Sequence, residues 1–222
     1  MSSLMKEAIE DLRYLLSRGY PRSSAVRFVG DRYLLEKPQR MILYRGVFPE
    51  EVARMRRAKL VEPEHVSGKR ISIDGFNVLW TVSSAMRGDP VYLCDDGFVR
   101  DVSAVHGSVE GREVSEPLKV IVSTLASLNP RKSLFFFDKS ISKSGEISGK
   151  VRALLSEHSI VGASMTVPSS DYSVLKSGEI IATSDSIVAD KAALLFDLAG
   201  YIIRERLNVK PVALNELYME YA

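Results

Sequence analysis

The pattern of hydrophobic and polar positions changes near residue 70. Up to that point, apolar residues recur at helical spacing in short segments that end at glycine or proline. This pattern predicts helices over about residues 5–16, from 23 onward, over 38–44 and over 49–59. Residues 61–70, which include Pro63 and Gly68, predict a linker. We therefore expect residues 1–60 to form a small all-helical segment.

After residue 70, short apolar runs alternate with longer helical segments. Strands are predicted at 71–74, 134–137, 160–167 and 180–183, and helices after 115, over 146–158 and over 186–207. The turn signal Asp95-Asp96-Gly97, between two short apolar runs, predicts a β-hairpin. This order indicates an α/β domain over residues 71–222, in which helices cover a parallel sheet.

Acidic residues follow each of the predicted parallel strands. Asp74 ends the first strand and Asp138 follows the phenylalanine run, while Asp171 and Asp185 come after the last two. Because ligands bind beyond the carboxyl ends of parallel strands, these acids are expected to meet at one edge of the sheet. Crowded carboxylates repel one another unless a cation lies among them. The sequence therefore predicts a site for a hard divalent metal ion.

Structural roles compete with this interpretation. Asp-Gly is a common turn pair, so Asp74 also fits a simple turn before a helix. In the functional alternative, Asn77 would orient water or a phosphate three residues later. Helix capping is the alternative for Asp138, and helix N-termini favour acids such as Asp190 for structural reasons alone. Asp171 lies in a predicted loop rich in serine and proline, which is the weakest local context of the set.

Composition narrows the classes of protein that need to be considered. With 222 residues, 45% of them hydrophobic, the chain suits one large domain or a main domain with a small appendage. The single cysteine, Cys94, excludes an internal disulfide and a cysteine-rich zinc site, and His65, His106 and His158 show no ligand spacing. No apolar run has the length of a membrane span and the first residues lack a signal core, so we expect a cytoplasmic protein.

Charge is distributed unevenly along the chain. Residues 1–70 carry 15 Lys and Arg against 9 Asp and Glu, whereas residues 71–222 carry 15 against 19. A basic segment beside an acidic one is expected of a protein that contacts nucleic acid, although chance bias on solvated helix faces is the alternative. The candidate phosphate-binding residues are Arg27, Arg32, Arg40, Arg45, Arg56, Arg57, Lys139 and Lys143.

Three short motifs resemble the acidic motifs of the PIN and flap-endonuclease-like superfamily. They are Ile-Asp-Gly-Phe-Asn-Val at 73–78, Phe-Phe-Phe-Asp at 135–138 and Ala-Thr-Ser-Asp-Ser at 182–186. The whole chain also resembles an uncharacterised archaeal family that has a basic helical N-terminal segment before a PIN-like half. The resemblance implies a PIN-like, Rossmann-like three-layer α/β domain. It places Asp74, Asp138, Asp171 and Asp185 at metal-binding positions.

The resemblance also implies an activity. Mg²⁺ or Mn²⁺ would be the cofactor, RNA or structured DNA the substrate, and Asp74, Asp138 and Asp185 the catalytic acids. In two-metal hydrolysis, one ion activates water and the other stabilises the leaving oxygen.

The chain departs from the superfamily pattern at two positions. Lys139 stands where flap nucleases often have glycine, and Ile187 stands where they have a second acid. Asp190 is predicted as a substitute metal ligand. Three functions stay open: a metal-dependent nuclease, a catalytically weak nucleic-acid-binding protein that keeps the fold, and a metal-dependent phosphatase for a small molecule. The two departures favour the second function, and the basic segment would have no obvious role in the third.

Overall fold

The computed structural model describes residues 2–102 and 114–214, with side chains from residue 4. The described chain forms two compact units, each built from segments that are separate in sequence. The helical unit takes the described residues of Met1–Ala58, Asp89–Ala104 and Lys210–Ala222. The α/β unit takes Lys59–Gly88 and the described residues of Val105–Val209.

This division differs from the predicted one in two places. The segment 61–70 is folded rather than a linker, since Pro63–Val66 forms a 3₁₀ turn and the side chain of Val66 is fully buried in the core of the α/β unit. The predicted hairpin belongs to the helical unit and not to the α/β domain in which the sequence placed it. The chain therefore leaves the α/β unit after its first helix and returns later.

The helical unit begins with helices that follow the predicted segments closely. These are α1 (Ser2–Ser17), α2 (Arg22–Arg32), α3 (Lys37–Gly46) and α4 (Glu50–Arg57). Along α1, the side chains of Met5, Ala8, Ile9, Leu12 and Leu16 are buried, at the spacing that brings them to one face. That face packs into the hydrophobic core of the unit.

A small sheet completes the helical unit. The strands β2 (Val91–Leu93) and β3 (Val99–Asp101) pair antiparallel, which confirms the predicted hairpin. Gly97 lies in the turn with φ of +87°, a conformation that glycine adopts without a Cβ clash. The short strand β7 (Val212–Ala213) pairs parallel with β2.

The α/β unit contains the predicted parallel sheet. Its strands are β1 (Arg70–Asp74), β4 (Lys132–Asp138), β5 (Gly162–Val167) and β6 (Ile180–Ala182). Their order across the sheet is β5-β4-β1-β6, and every neighbouring pair is parallel. The central β1 and β4 are rich in Ile and Phe side chains buried on the sheet faces, as expected of strands covered by helices.

Helices connect these strands and cover the sheet. They are α5 (Gly75–Met86), α6 (Ser115–Leu128), α7 (Ser144–Glu157), α8 (Ser170–Ser177), α9 (Ser186–Lys191) and α10 (Leu198–Glu205). The apolar faces of α5, α6, α7 and α10 join the strands in one hydrophobic core. No helix in the described part of the chain combines the length and apolarity needed to cross a membrane.

The predicted long helix over 186–207 is wrong, because the chain is extended between α9 and α10. Leu195 forms parallel bridges with Leu60 and Ile181, and the backbone N–H of Leu195 donates to the carbonyl of Lys59 at 2.8 Å. Asp197 then caps α10 by accepting from the N–H of Gly200 at 3.0 Å. The apolar run that resembled a buried helix instead adds strand-like hydrogen bonds beside β6.

Candidate functional site at the carboxyl edge of the sheet

The strand order creates a change of direction at β1. From β1 the chain moves outward to β4 and β5, and then returns to place β6 on the other side of β1. Such a switch in an open α/β sheet leaves a crevice at the carboxyl ends of the two strands that flank it. Asp74 is the last residue of β1, Asp138 is the last residue of β4, and Thr183 to Asp185 directly follow β6. These residues therefore share one edge of the sheet.

Asp74 is the most buried acid of this edge, with 6% of its surface exposed. Its Oδ2 accepts a hydrogen bond from the hydroxyl of Thr183 at 3.1 Å. Burial, together with the charges of Asp171 and Asp185, raises the pKa of Asp74 to about 7, and the hydrogen bond from the Thr183 hydroxyl opposes the rise. A carboxyl group that titrates near neutrality is able to exchange its proton for a cation at physiological pH.

Asp138 is held by the start of α8. Its Oδ2 accepts from the hydroxyl of Ser170 at 2.8 Å, and its Oδ1 accepts from the backbone N–H of the same residue at 3.2 Å. These two bonds fix the carboxylate at the end of β4 and tie β4 to α8. The sequence pattern predicts only a loop around Ser170 and does not indicate this role.

Asp171 lies in the first turn of α8, not in a loop. Ser169 caps this helix, because its hydroxyl accepts a hydrogen bond from the backbone N–H of Tyr172. The serine that was attributed to a loop is therefore the N-cap of a helix. Burial raises the pKa of Asp171, followed by the charges of Asp185 and Asp138, while Lys191 opposes the rise. Asp171 thus interacts electrostatically with the acids that follow β1, β4 and β6.

Asp185 caps the short helix α9. Its Oδ1 accepts from the backbone N–H groups of Ile187 at 2.8 Å and Val188 at 3.0 Å. Next to it, the side-chain oxygen of Asn77 accepts from the N–H of Ser184 at 2.8 Å and from its hydroxyl at 3.0 Å. These bonds tie the loop after β6 to α5, and they orient the Asn77 amide within the site.

Asp190 differs from its predicted position. It lies near the end of α9 rather than in an opening turn, and its side chain is exposed. The Nζ of Lys59 donates to the backbone carbonyls of Ala189 and Asp190, which closes the C-terminus of this helix. Ile187, at the position of the missing acid, is 58% exposed. The charges that raise the pKa of Asp74 and Asp171 come from the other acids of the edge.

The donor set fits a hard divalent cation in its chemistry, because it consists of carboxylate oxygens, two of which belong to acids whose burial raises their pKa. Its spacing is wider than that of a closed metal site. Among residues 2–102 and 114–214, no three His, Cys, Asp or Glu side chains converge closely enough to hold one ion. Asp74, Asp171 and Asp185 interact through their charges, and each of Asp74, Asp138 and Asp185 has an oxygen that accepts a hydrogen bond within the unit.

The lysines predicted beside this site lie on its surface. Lys139 follows β4 directly and is exposed, and its N–H donates to the carbonyl of Val167. Lys143 is exposed at the start of α7, with a left-handed φ of +61°. The loop between them begins beside Asp138. His106 lies outside the described residues.

The arginines of the helical unit are mostly engaged in ion pairs. Five of the six predicted phosphate-binding arginines contact carboxylates of the same unit: Arg32 with Asp11, Arg40 with Asp31, Arg45 with Asp101, Arg56 with Asp96 and Arg57 with Glu50. Arg27 is exposed on α2. Arg56 is 4% exposed, so its guanidinium lies inside the unit and not on a surface that a phosphate backbone would reach.

The two acids of the hairpin turn pair with arginines of the helical unit, which the sequence did not indicate. Asp96 is fully buried and accepts from Arg56 at 2.9 Å and from Arg100 at 2.6 and 2.8 Å. Burial alone would raise its pKa, but the two guanidinium groups outweigh burial and lower it. Asp95 accepts from Arg13 and from the N–H of Phe48. The Asp-Asp-Gly sequence predicted the turn, but it did not indicate that both aspartates would form ion pairs with arginines.

Comparison with known proteins identifies relatives. Residues 63–201 match the family model described as a domain of unknown function, DUF5616, and residues 4–59 match the model described as a protein of unknown function, DUF434. An uncharacterized protein of Methanocaldococcus jannaschii is 34% identical over 185 residues, which span 83% of this chain and 88% of that protein. No solved structure matches the chain.

Proposed function

The chain belongs to the family described as a domain of unknown function, DUF5616, and we propose that it is a nuclease that depends on Mg²⁺ or Mn²⁺. Its substrate would be RNA or structured DNA, and its site the carboxyl edge of the α/β sheet. The proposal includes a PIN-like relationship, which the order of the motifs around Asp74, Asp138 and Asp185 supports. The relative from Methanocaldococcus jannaschii is an uncharacterised archaeal protein, as expected from the resemblance of the sequence to an uncharacterised archaeal family.

The state of Asp74 is the observation that carries the proposal. A carboxyl group so buried, with two further acids acting on it, is an unfavourable arrangement in a protein that has no use for it. A divalent cation would reverse the balance, because it favours the ionised form of every acid around it. A structural role for the same residue would be served by asparagine without this electrostatic cost.

Each residue of the edge would have a defined task. Asp74, Asp171 and Asp185 would hold the metal, and Asp138, fixed by Ser170, would complete the acidic site. A bound divalent ion supplies activation of water and charge stabilisation at the phosphate. Asn77, held by Ser184, would orient a water molecule or a phosphate oxygen.

Exposed lysines would contact the backbone of the nucleic acid. Lys139 and Lys143 follow Asp138 on the surface, and Lys191 lies close enough to Asp171 to lower its pKa. Such cations offset the repulsion between an acidic site and a polyanion, and they provide affinity without reading sequence.

A second candidate is a nucleic-acid-binding protein of the same fold with little or no turnover. The spacing of the described acids favours it, since no three of the described ligand-type side chains converge on one point. The exposed side chain of Asp190 favours it too, because the predicted substitute for the acid missing at Ile187 lies at the far end of α9.

Cleavage of labelled RNA and DNA tests the proposal and separates the two candidates. Purified protein is incubated with single-stranded, duplex and branched substrates in Mn²⁺, Mg²⁺ or EDTA, beside Asp74→Asn and Asp138→Asn. Glu157→Gln is the matched control, because this exposed acid is the last residue of α7 and is not one of the acids of the edge. We expect cleavage that needs metal, is lost in both aspartate variants and is unchanged in the control.

Two other outcomes decide against the nuclease. Binding of nucleic acid without cleavage in any metal establishes the second candidate. Equal cleavage by wild type and Asp138→Asn means that the activity comes from another site or another protein.

A further inference from the structure

An exposed aromatic side chain lies beside the acidic edge. Tyr172 directly follows Asp171 in the first turn of α8, and 61% of its surface is exposed. Its backbone N–H donates to the capping hydroxyl of Ser169, so the position of its Cα is fixed by the helix start. The serine before Asp171 holds Asp138. Three consecutive residues thus combine different properties. Ser170 binds Asp138, Asp171 is a candidate metal ligand, and Tyr172 exposes an aromatic ring.

A cation accompanies this ring. The Nζ of Lys176, one turn further along α8, lies 4.8 Å from the centroid of the Tyr172 ring. Lys176 is itself exposed, and Lys191 contributes a second positive charge near Asp171. An aromatic face next to cations is the combination that binds a base and the phosphates on either side of it.

Two other polar aromatic residues in the described part of the α/β unit pack against a second ring. Trp80 stacks on Phe76 at 5.7 Å between ring centroids, and Tyr201 packs on Phe196 at the same distance. Single exposed apolar side chains are common and need no explanation on their own. The position of Tyr172, next to Asp171 at the carboxyl edge, is what distinguishes it.

We propose that Tyr172 is a stacking platform for an unpaired base, and that the protein therefore acts on single-stranded nucleic acid or on the single-stranded part of a branched one. This inference rests on the proposed function, since the stacked nucleotide would present its phosphate to the acidic edge. An internal base pair of a continuous duplex has both faces covered by its neighbours, so it has no free face for a tyrosine ring. Lys176 and Lys191 would contact the flanking phosphates.

Binding measured without catalysis tests this proposal. Fluorescence anisotropy in EDTA gives the Kd of the full chain for a labelled oligo(dT), an oligo(U) and a duplex of the same length. Tyr172→Ala should bind the single strands about 5- to 100-fold more weakly, from the usual contribution of one stacked base, and should bind the duplex unchanged. Tyr172→Phe keeps the ring and should bind like the wild type.

Tyr14→Ala is a matched control. Tyr14 is 59% exposed on α1 and also has a cation beside its ring, since the guanidinium of Arg18 lies 5.2 Å from the ring centroid. It belongs to the helical unit and not to the acidic edge. Its removal should leave binding of the single strands unchanged. In a separate measurement, Tyr172→Trp should lose fluorescence when oligo(U) binds, beyond any loss seen in the wild type.

Several results would overturn the proposal. They are single-strand binding by Tyr172→Ala equal to that of the wild type, an equal loss in Tyr14→Ala, an equal loss for duplex, or no single-strand binding by the wild type. The readouts separate it from the nuclease assignment. Metal-dependent cleavage with a KM unaffected by Tyr172→Ala would refute stacking and leave the nuclease intact. Tyr172-dependent binding without cleavage would refute the nuclease alone.

Discussion

Replacing Asp74 by asparagine is expected to stabilise the metal-free protein at neutral and higher pH. In the folded state, burial raises the pKa of Asp74 to about 7, with Asp171 and Asp185 adding to the rise, against an ordinary value of 3.8. The gap between these values corresponds to roughly 4 kcal/mol of free energy for ionising this carboxyl group inside the protein. Asparagine has nearly the same shape and removes the charge. Its side-chain oxygen is still able to accept from the Thr183 hydroxyl.

The pH dependence of this gain follows from the direction of the shift. Because the pKa of Asp74 is raised in the folded state, the unfolded chain loses its proton first, and stability falls as pH rises from about 4 to about 7. Above about pH 7 the loss is complete. The advantage of Asp74→Asn should therefore be absent near pH 4, grow through this interval and then level off.

Urea unfolding in EDTA, from about pH 4 to about pH 8, measures the effect. Asp197→Asn serves as the control, because Asp197 is also buried but caps α10 and lies 3.8 Å from Arg204. That variant should gain no stability at any pH. A difference between Asp74→Asn and wild type that does not change with pH, or a loss of stability in Asp74→Asn at every pH, would refute the reasoning. Either result would show that ionisation of the Asp74 carboxyl group does not destabilise the fold.

Three further outcomes are expected. Mn²⁺ at about 100 times its Kd should stabilise the wild type by roughly 2.7 kcal/mol in a thermal melt, and Asp171→Asn should respond less at the same concentration, whereas equal responses would exclude Asp171 as a ligand. Asp96→Ala removes the carboxylate that the buried guanidinium groups of Arg56 and Arg100 share, and it should lower the free energy of unfolding by roughly 3–5 kcal/mol in urea. The exposed pair broken by Asp31→Ala should cost less than about 1 kcal/mol in the same assay. Gly75→Ala would place a Cβ against the ring of Phe137 and should lower the free energy of unfolding by roughly 1–3 kcal/mol. In the same assay Gly145→Ala should be neutral or stabilising, because its added Cβ would have no neighbouring side chain within 4 Å.

The parallel sheet could be predicted because buried strands leave a simple signal. The run that ends in Asp138 is apolar over consecutive positions, and a strand covered on both faces needs such a run. The same logic predicted the acids at the ends of β1 and β6, because an apolar run that leads into an acid is typical of a buried strand that ends at the edge of a sheet. The shared edge of Asp74, Asp138 and Asp185 follows from parallel pairing alone.

Long-range pairing explains where the prediction was wrong. Residues 192–197 have the composition of a buried helix, and their extended conformation depends on partners at Lys59 and Ile181 that lie far away in sequence. The hairpin was correctly predicted from its turn, but its membership of the helical unit depends on contacts such as that of Arg56 with Asp96. No local pattern encodes either choice, because both depend on which distant segment is available to pack against.

The unit boundaries also change the meaning of the charge distribution. Residues 1–58 carry 12 Lys and Arg against 7 Asp and Glu, an excess of +5. In the sequence of the same unit, residues 89–104 add one Arg and four Asp, and residues 210–222 add one Lys and two Glu, so the excess falls to +1. The positive charge of the N-terminal segment is therefore largely neutralised by the acids of the hairpin. Arg56 is the clearest case, because its buried guanidinium pairs with Asp96. Exposed pairs such as Arg40 with Asp31 are weak enough to exchange for phosphate, but they impose a cost on doing so.

It follows that the lysines beside the acidic edge should determine more of the salt dependence of binding than the N-terminal arginines do. Neutralising Lys139 and Lys143 together should flatten the slope of log Kd against log salt by about two counterions, and neutralising Arg40 and Arg57 together should change it less. Deleting residues 1–60 would not test this point, because it would also leave the hairpin acids without their arginines. If neutralising Arg40 and Arg57 changes the slope of log Kd against log salt more than neutralising Lys139 and Lys143 does, the main contact with nucleic acid lies in the helical unit.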